Sequence, residues 1–379
     1  MTDVRLGASG YGGRGRAMGT HGTRKARIIV AGVLLLLVAV TVLTLTACGG
    51  SGTPASSSPP SSAPSEAAIT PSPVVWTPTP AAPVPKNGAP FEQVARLFAY
   101  DASEPIGLKD TGTYEYKYRG EPRTLRKIAY LSAGKPVEAW LTLPEGEGPF
   151  PAVMLLPGYG GSMPVGWAMY AADLVAKGYA ALLIQPPNER TDGPRFTFFS
   201  WDAKQDVAAN AQYVVDLRRG IDLLQSLPQI DGRRIGFIGH SYGGAVGGWL
   251  AGVEDRVKAY VLVSAGGGGW GEAVPMDQET RNAHSLMGNP PPGDAAIARW
   301  NRQTAFMAPM NFIGHNQGAA FLILNSTGDV PPGDRSARAA ISRYGAAAPR
   351  PATVRYWGGT HNPDDRAYRI MTKFLRENL

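Results

Sequence analysis

The sequence predicts a mixed α/β domain built on a mostly parallel, twisted sheet with helices on both faces. Three observations carry this. Short, nearly continuous apolar runs of strand length recur after residue 150. Helical patterns of 12 to 25 residues separate them. No period of 20–50 residues appears, so stacked-repeat architectures are not indicated. Strands that are apolar on both faces and alternate with helices belong to a parallel sheet buried on both sides.

The elements follow in order. Thr113–Tyr118 and Thr124–Leu131 alternate aromatic or β-branched residues with polar ones and read as strands, as does Val137–Leu143, which ends at the turn-forming Pro144-Glu-Gly-Glu-Gly-Pro149. Buried-type strands are expected at Ala152–Leu156, Ala180–Gln185, Arg234–Gly239, Lys258–Ser264, Ala319–Asn325 and Thr353–Tyr356. Helices are expected near 164–177, 203–227, 242–253, 334–345 and 364–378. The domain spans residues 91–379, with residues 266–318 as a cap-like insertion. That insertion starts at Gly266–Gly269 and carries Trp270, Met276, Met287, Trp300, Phe306, Met307, Met310 and Phe312. It reads either as a lid lined for an apolar acyl or aryl group or as a helix packed on the core. Arg195–Trp201 is a second aromatic cluster, read as pocket wall or core.

The chain ahead of the domain has a different texture. Of the formal charge of +7, residues 1–47 carry +5 and the rest +2, so the basic excess belongs to a leader and not to a nucleic-acid-binding face. Arg24, Lys25 and Arg27 precede the uncharged apolar run Ile28–Leu45, the arrangement of an export signal that is also long enough to span a bilayer. Leu45-Thr46-Ala47-Cys48 resembles the lipobox of bacterial lipoproteins, which implies cleavage before Cys48 and acylation of its thiol. Met18 is an alternative start. Cys48 is the sole cysteine, so a disulfide scaffold is excluded. Residues 48–90 form a tether. From Gly49 to Pro90 it holds 11 Pro, 8 Ser, 4 Thr and 4 Gly, and it has too little apolar surface to offset its ordering entropy. Extended, it reaches on the order of 100 Å.

The chemistry sits in Gly239-His240-Ser241-Tyr242-Gly243, which fits G-x-S-x-G between the strand Arg234-Ile-Gly-Phe-Ile238 and a helix rich in small residues. A serine on such a tight turn presents its hydroxyl above the sheet. The hydroxyl needs a positioned base. Among the five histidines, His21 lies in the leader, His240 lies inside the turn pointing away, and His284 and His315 come too early. His361, in Gly358-Gly-Thr-His361, follows the late strand where the base belongs. Asp329 in Ser326-Thr-Gly-Asp329 is the acid, with Asp334 as its rival and a helix N-cap as the other reading of Asp334. The oxyanion donors are expected at the amides of Tyr242 and Tyr159, the latter in Leu156-Pro-Gly-Tyr-Gly-Gly161. No metal-binding spacing occurs, and no cofactor is expected.

Gly148-Pro-Phe-Pro-Ala-Val-Met-Leu-Leu-Pro-Gly-Tyr-Gly-Gly161, the serine turn, Gly328-Asp329 and His361 together resemble the α/β-hydrolase superfamily over about residues 110–379. The likeness is nearest to dienelactone hydrolase-like and acetyl-xylan-esterase-like enzymes, and the Pro-Gly-Tyr loop is similar to that of bacterial cutinases. Ser241 in place of cysteine departs from dienelactone hydrolase proper. Pro157 replaces the histidine of the common His-Gly oxyanion motif. Gly243-Gly244 is similar to prolyl oligopeptidases, whose gating propeller is missing from this sequence. The resemblance implies an α/β-hydrolase fold and a serine hydrolase that cleaves small-molecule or polymeric carboxylic esters through an acyl-enzyme. It would be held by lipid at Cys48 on the extracytoplasmic face of a bacterial membrane, or by a single span. A peptidase or thioesterase with the same residues, and a non-catalytic binding lipoprotein, are the alternatives.

Overall fold

The computed structural model describes residues 85, 87–158, 166–187, 190, 200–266, 285, 290–350 and 352–379. The export segment, Cys48, most of the tether and Tyr159 lie outside the described residues.

Among the described residues nine strands form one sheet. They are β1 (Lys109–Tyr118), β2 (Glu121–Ser132), β3 (Lys135–Thr142), β4 (Phe150–Leu156), β5 (Ala180–Ile184), β6 (Ile230–His240), β7 (Val257–Val263), β8 (Ala320–Ser326) and β9 (Thr353–Trp357). Their spatial order is β1-β2-β3-β5-β4-β6-β7-β8-β9. From β5 to β9 every pairing is parallel, whereas β1, β2 and β3 pair antiparallel with their neighbours. The antiparallel edge comes from two two-residue hairpins, Arg119-Gly120 and Ala133-Gly134, whose four residues all have positive φ. That combination is what a type I′ turn requires. β1 is outermost, carries Lys109, Asp110, Glu115 and Lys117, and is interrupted by a register shift between Asp110 and Gly112.

Eight helices are described: α1 (Phe91–Ala95), α2 (Ala168–Val175), α3 (Ala203–Ser226), α4 (Tyr242–Val253), α5 (Asp294–Thr304), α6 (Met310–Ile313), α7 (Arg335–Ala346) and α8 (Asp365–Asn378). Successive residues of the central strands bury into opposite layers, as a pleated strand demands. Met154 and Leu156 join α3 and α4 on one face, while Val153 and Leu155 join α2 and α8 on the other. The expected strands and helices are all present, with ends displaced by a few residues.

The described part of the connection between β7 and β8 packs inward. Trp300, Phe306, Met307 and Phe312 are buried in the layer that holds α3 and α4. Trp249 Nε1 of α4 donates to Met307 O at 2.5 Å. Residues 267–284 and 286–289 of this connection lie outside the described residues. The last tether residues are stitched to the same segment. Asn87 Nδ2 donates to Arg302 O, and Asn87 Oδ1 accepts from Phe306 N at 3.1 Å. Phe91 stacks on the exposed His315.

Candidate active site

Ser241 stands between β6 and α4 with φ 53° and ψ −114°, a conformation that costs a non-glycine residue energy and persists only where the surroundings impose it. The surroundings are crowded backbone. A Cβ on Gly239 would lie 2.1 Å from Gly243 O, and one on Gly243 would lie 2.6 Å from Pro157 O. Both glycines of G-x-S-x-G are therefore steric necessities of the turn. Ser241 N donates to Val263 O at 2.7 Å and Gly243 N to Pro157 O at 3.1 Å, which tie the turn to β7 and to the loop after β4.

That loop arrives where the sequence places it. A Cβ on Gly158 would meet Ser241 Cβ at 3.1 Å. Tyr159, the next residue, is outside the described residues. Tyr242 opens α4, and its ring is held away by α3, where its hydroxyl donates to Asn210 Oδ1 at 2.5 Å. Asn210 in turn donates to Asp206 O at 2.7 Å. The Asp206 carboxylate accepts from Trp300 Nε1 at 2.7 Å and from Ser200 N and Oγ at 2.8 and 2.6 Å. Burial still pushes its pKa above the usual carboxylate range.

Asp329 and His361 meet as expected. His361 Nδ1 donates to Asp329 Oδ2 at 2.9 Å. A carboxylate only accepts, so Nδ1 carries a proton; in the neutral ring that leaves the lone pair on Nε2, the tautomer a general base needs. Two backbone bonds join the turn after β8 to the loop after β9: Thr327 N to Trp357 O at 2.9 Å and Gly328 N to Gly359 O at 3.0 Å. Asp334 is spent elsewhere. It caps α7, accepting from Ala337 N at 2.9 Å.

His240 differs from its sequence reading. Its ring does not point away from the chemistry. Nε2 lies 2.9 Å from His361 O, and the two imidazole centroids are 4.9 Å apart. Ser264 Oγ donates to the same carbonyl at 2.9 Å. Sequence reasoning missed both. The usable signals were a polar ring next to Ser241 and a hydroxyl at the carboxyl end of the adjacent strand. Among the described residues no group of His, Cys, Asp and Glu is placed to hold a metal ion.

The site thus sets a serine in a strained strand-to-helix turn near a His–Asp couple on loops from later parallel strands. The model of the alpha/beta hydrolase family matches residues 153–378, more than half the chain. The chain belongs to that family. The fold of this hydrolase resembles acetyl xylan esterase from Paenibacillus sp. R4 at a TM-score of 0.57, with 18% identity over 76% of this chain and 93% of that one. Acetyl xylan esterase 1 from Thermoanaerobacterium sp. JW/SL YS485 gives 0.53, with 16% identity over 73% and 89%. Esterase FrsA of Escherichia coli is 28% identical over 162 residues, 42% of this chain. That match spans about a third of the length of the curated relative, 36%.

Proposed function

We propose that this alpha/beta hydrolase is a serine carboxylesterase, with Ser241 as nucleophile, His361 as general base and acid, and Asp329 as the group that orients it. The observation that carries the reading is the His361–Asp329 hydrogen bond of 2.9 Å beside a strained serine turn. The esterase relatives support the ester as substrate class.

In this reading His361 Nε2 takes the Ser241 hydroxyl proton as Oγ attacks the acyl carbon. Negative charge gathers on the former carbonyl oxygen. It is met by the amide of Tyr242, at the N-terminal end of α4, and by the amide of Tyr159. His361 returns the proton to the departing alcohol, leaving an acyl-serine. Water then attacks with His361 again as base, the acid is released, and Ser241 regains its proton. Asp329 stays ionised and stabilises the imidazolium in both halves.

Attachment completes the proposal. Residues 1–47 act as a lipoprotein-type export signal, and acylated Cys48 anchors the domain through its tether to the outer face of a bacterial membrane. Among the described residues no helix is long and apolar enough to cross a membrane, and Ile28–Leu45 lies outside them.

Labelling with a fluorophosphonate probe tests the catalytic core. The expected result is stoichiometric labelling of the wild type and none of Ser241→Ala. Equal labelling of both would remove Ser241 from the reaction. Detergent-phase partitioning, lost in Cys48→Ala, tests the anchor separately.

A further inference from the structure

Two donors converge beneath the candidate base. The backbone oxygen of His361 accepts from His240 Nε2 and from Ser264 Oγ, each at 2.9 Å. A carbonyl only accepts, so His240 carries its proton on Nε2. The two donors sit at the carboxyl ends of neighbouring strands, where His240 of β6 pairs with Val263 of β7. His240 is 6% exposed. Burial, reinforced by the neighbouring His361 ring, depresses its pKa to about 4, so the ring is neutral in ordinary buffers. Ser264 has φ 49°, left-handed for a non-glycine residue, and its amide is fixed by Leu324 O at 2.8 Å. A buried serine held in that conformation with its hydroxyl on His361 O is a built feature of the rim.

We propose that His240 and Ser264 form a clamp on the His361 carbonyl that sets the imidazole's position relative to Ser241 Oγ, both acting as positioning residues for acyl transfer. The proposal rests on the assignment of Ser241, His361 and Asp329 given above. Asp329 fixes the ring's rotation through Nδ1, and backbone bonds hold the loop at Trp357 and Gly359, which leaves the backbone at His361 itself to be placed. The clamp holds that backbone from below. Because His240 is bonded covalently to Ser241, nucleophile and base share one frame. The same ring also touches the loop after β4, since a Cβ on Gly158 would lie 3.2 Å from His240 Nδ1. Three segments of the reaction centre therefore refer their positions to a single buried imidazole. Misplacement of a reacting group by about 1 Å costs on the order of 100-fold in rate, so a small slip of the 358–361 loop is enough to be read kinetically.

The test is steady-state hydrolysis of p-nitrophenyl butyrate by the full-length protein and its His240→Leu, His240→Gln and Ser264→Ala variants, with thermal melts alongside. His240→Leu removes the donor and is expected to lower kcat by about 10- to 100-fold with KM within about twofold. His240→Gln keeps an N–H able to reach the carbonyl and is expected to recover kcat to within about threefold of wild type. Ser264→Ala, which loses one of the two donors, is expected to lower kcat by about three- to tenfold with KM unchanged. Equal losses in the Leu and Gln variants, or a wild-type kcat in folded His240→Leu, would overturn the clamp while an inactive Ser241→Ala leaves the esterase reading standing. If His240→Leu does not fold, Ser264→Ala decides: wild-type kcat overturns the proposal and a kcat loss at constant KM supports it. Activity in Ser241→Ala would remove both readings together.

Discussion

Among the described residues five non-glycine residues have positive φ; Trp201, at 64°, lies just before α3, and the other four fall in two regions for opposite reasons. Arg119 and Ala133, both at φ 51°, sit at the exposed tips of the antiparallel hairpins. Ser241 and Ser264, at φ 53° and 49°, sit at the carboxyl ends of β6 and β7. At the hairpins the strain comes from the turn's own geometry. Nothing lies within 4 Å of a Cβ added to Gly120 or Gly134, so the tip can relax into open space. At the rim the backbone is walled in, and a Cβ on Gly239 would collide with Gly243 O. The same sign of dihedral is a loop convenience in one place and an imposed conformation beside the reacting groups in the other. The lesson is that strain marks function only where packing prevents its release.

The sharpest contrast is between two carboxylates on the same loop. Asp329→Asn is expected to lower kcat by about a thousandfold or more, because the amide presents Nδ1 with the wrong partner. Asp334→Ala should cost about 1 kcal/mol of stability through the lost cap of α7 and leave kcat within about twofold. Reversal of the two kinetic effects, measured on matched esters, would transfer the orienting role to Asp334. Backbone crowding gives the next largest difference. Gly239→Ala should destabilise by about 4 kcal/mol or fail to fold, and Gly134→Ala by about 1 to 2 kcal/mol from left-handed strain alone. Urea titration of the two variants checks this, and similar midpoints would erase the distinction between rim and hairpin. The smallest effect concerns pH. His240 binds its proton near pH 4 when folded and near its ordinary value of 6.5 when unfolded. The unfolded chain thus holds more protons in this window, and the contribution is complete above pH 6.5 and is lost as pH falls toward 4. Between pH 6.5 and 5 this amounts to about 2 kcal/mol, and His240→Gln should flatten that part of the pH–stability curve.

Much of this was legible in the sequence because the signals were local. Apolar strand runs fixed the central sheet, and Gly239, Ser241 and Gly243 marked the turn in a short window. Asp329 and His361 could be placed by chain order, since each follows a late strand. What was not legible depended on direction and partners. The side to which the His240 ring turns is set by the loop that ends 121 residues later, and no pattern near 240 encodes it. The apolar residues of α5 and α6 suit a lid and a core equally. Asp206 of α3, bonded by Trp300, and Gly252 of α4, against which Phe312 lies, decide that Trp300 and Phe312 are core. α1 is only five residues long, too short to show a helical period.

The outermost strand has a consequence for how copies of this protein meet in concentrated solution. An uncapped sheet edge invites a neighbouring copy to add its own strand and start a fibril or a cluster. β1 carries charges toward both ends and a register shift near its start, so a second strand approaching that border must desolvate charged side chains and meets mismatched donors. Colloidal behaviour at crowding is thereby governed at the border farthest, in strand order, from β9 and the loop that carries His361.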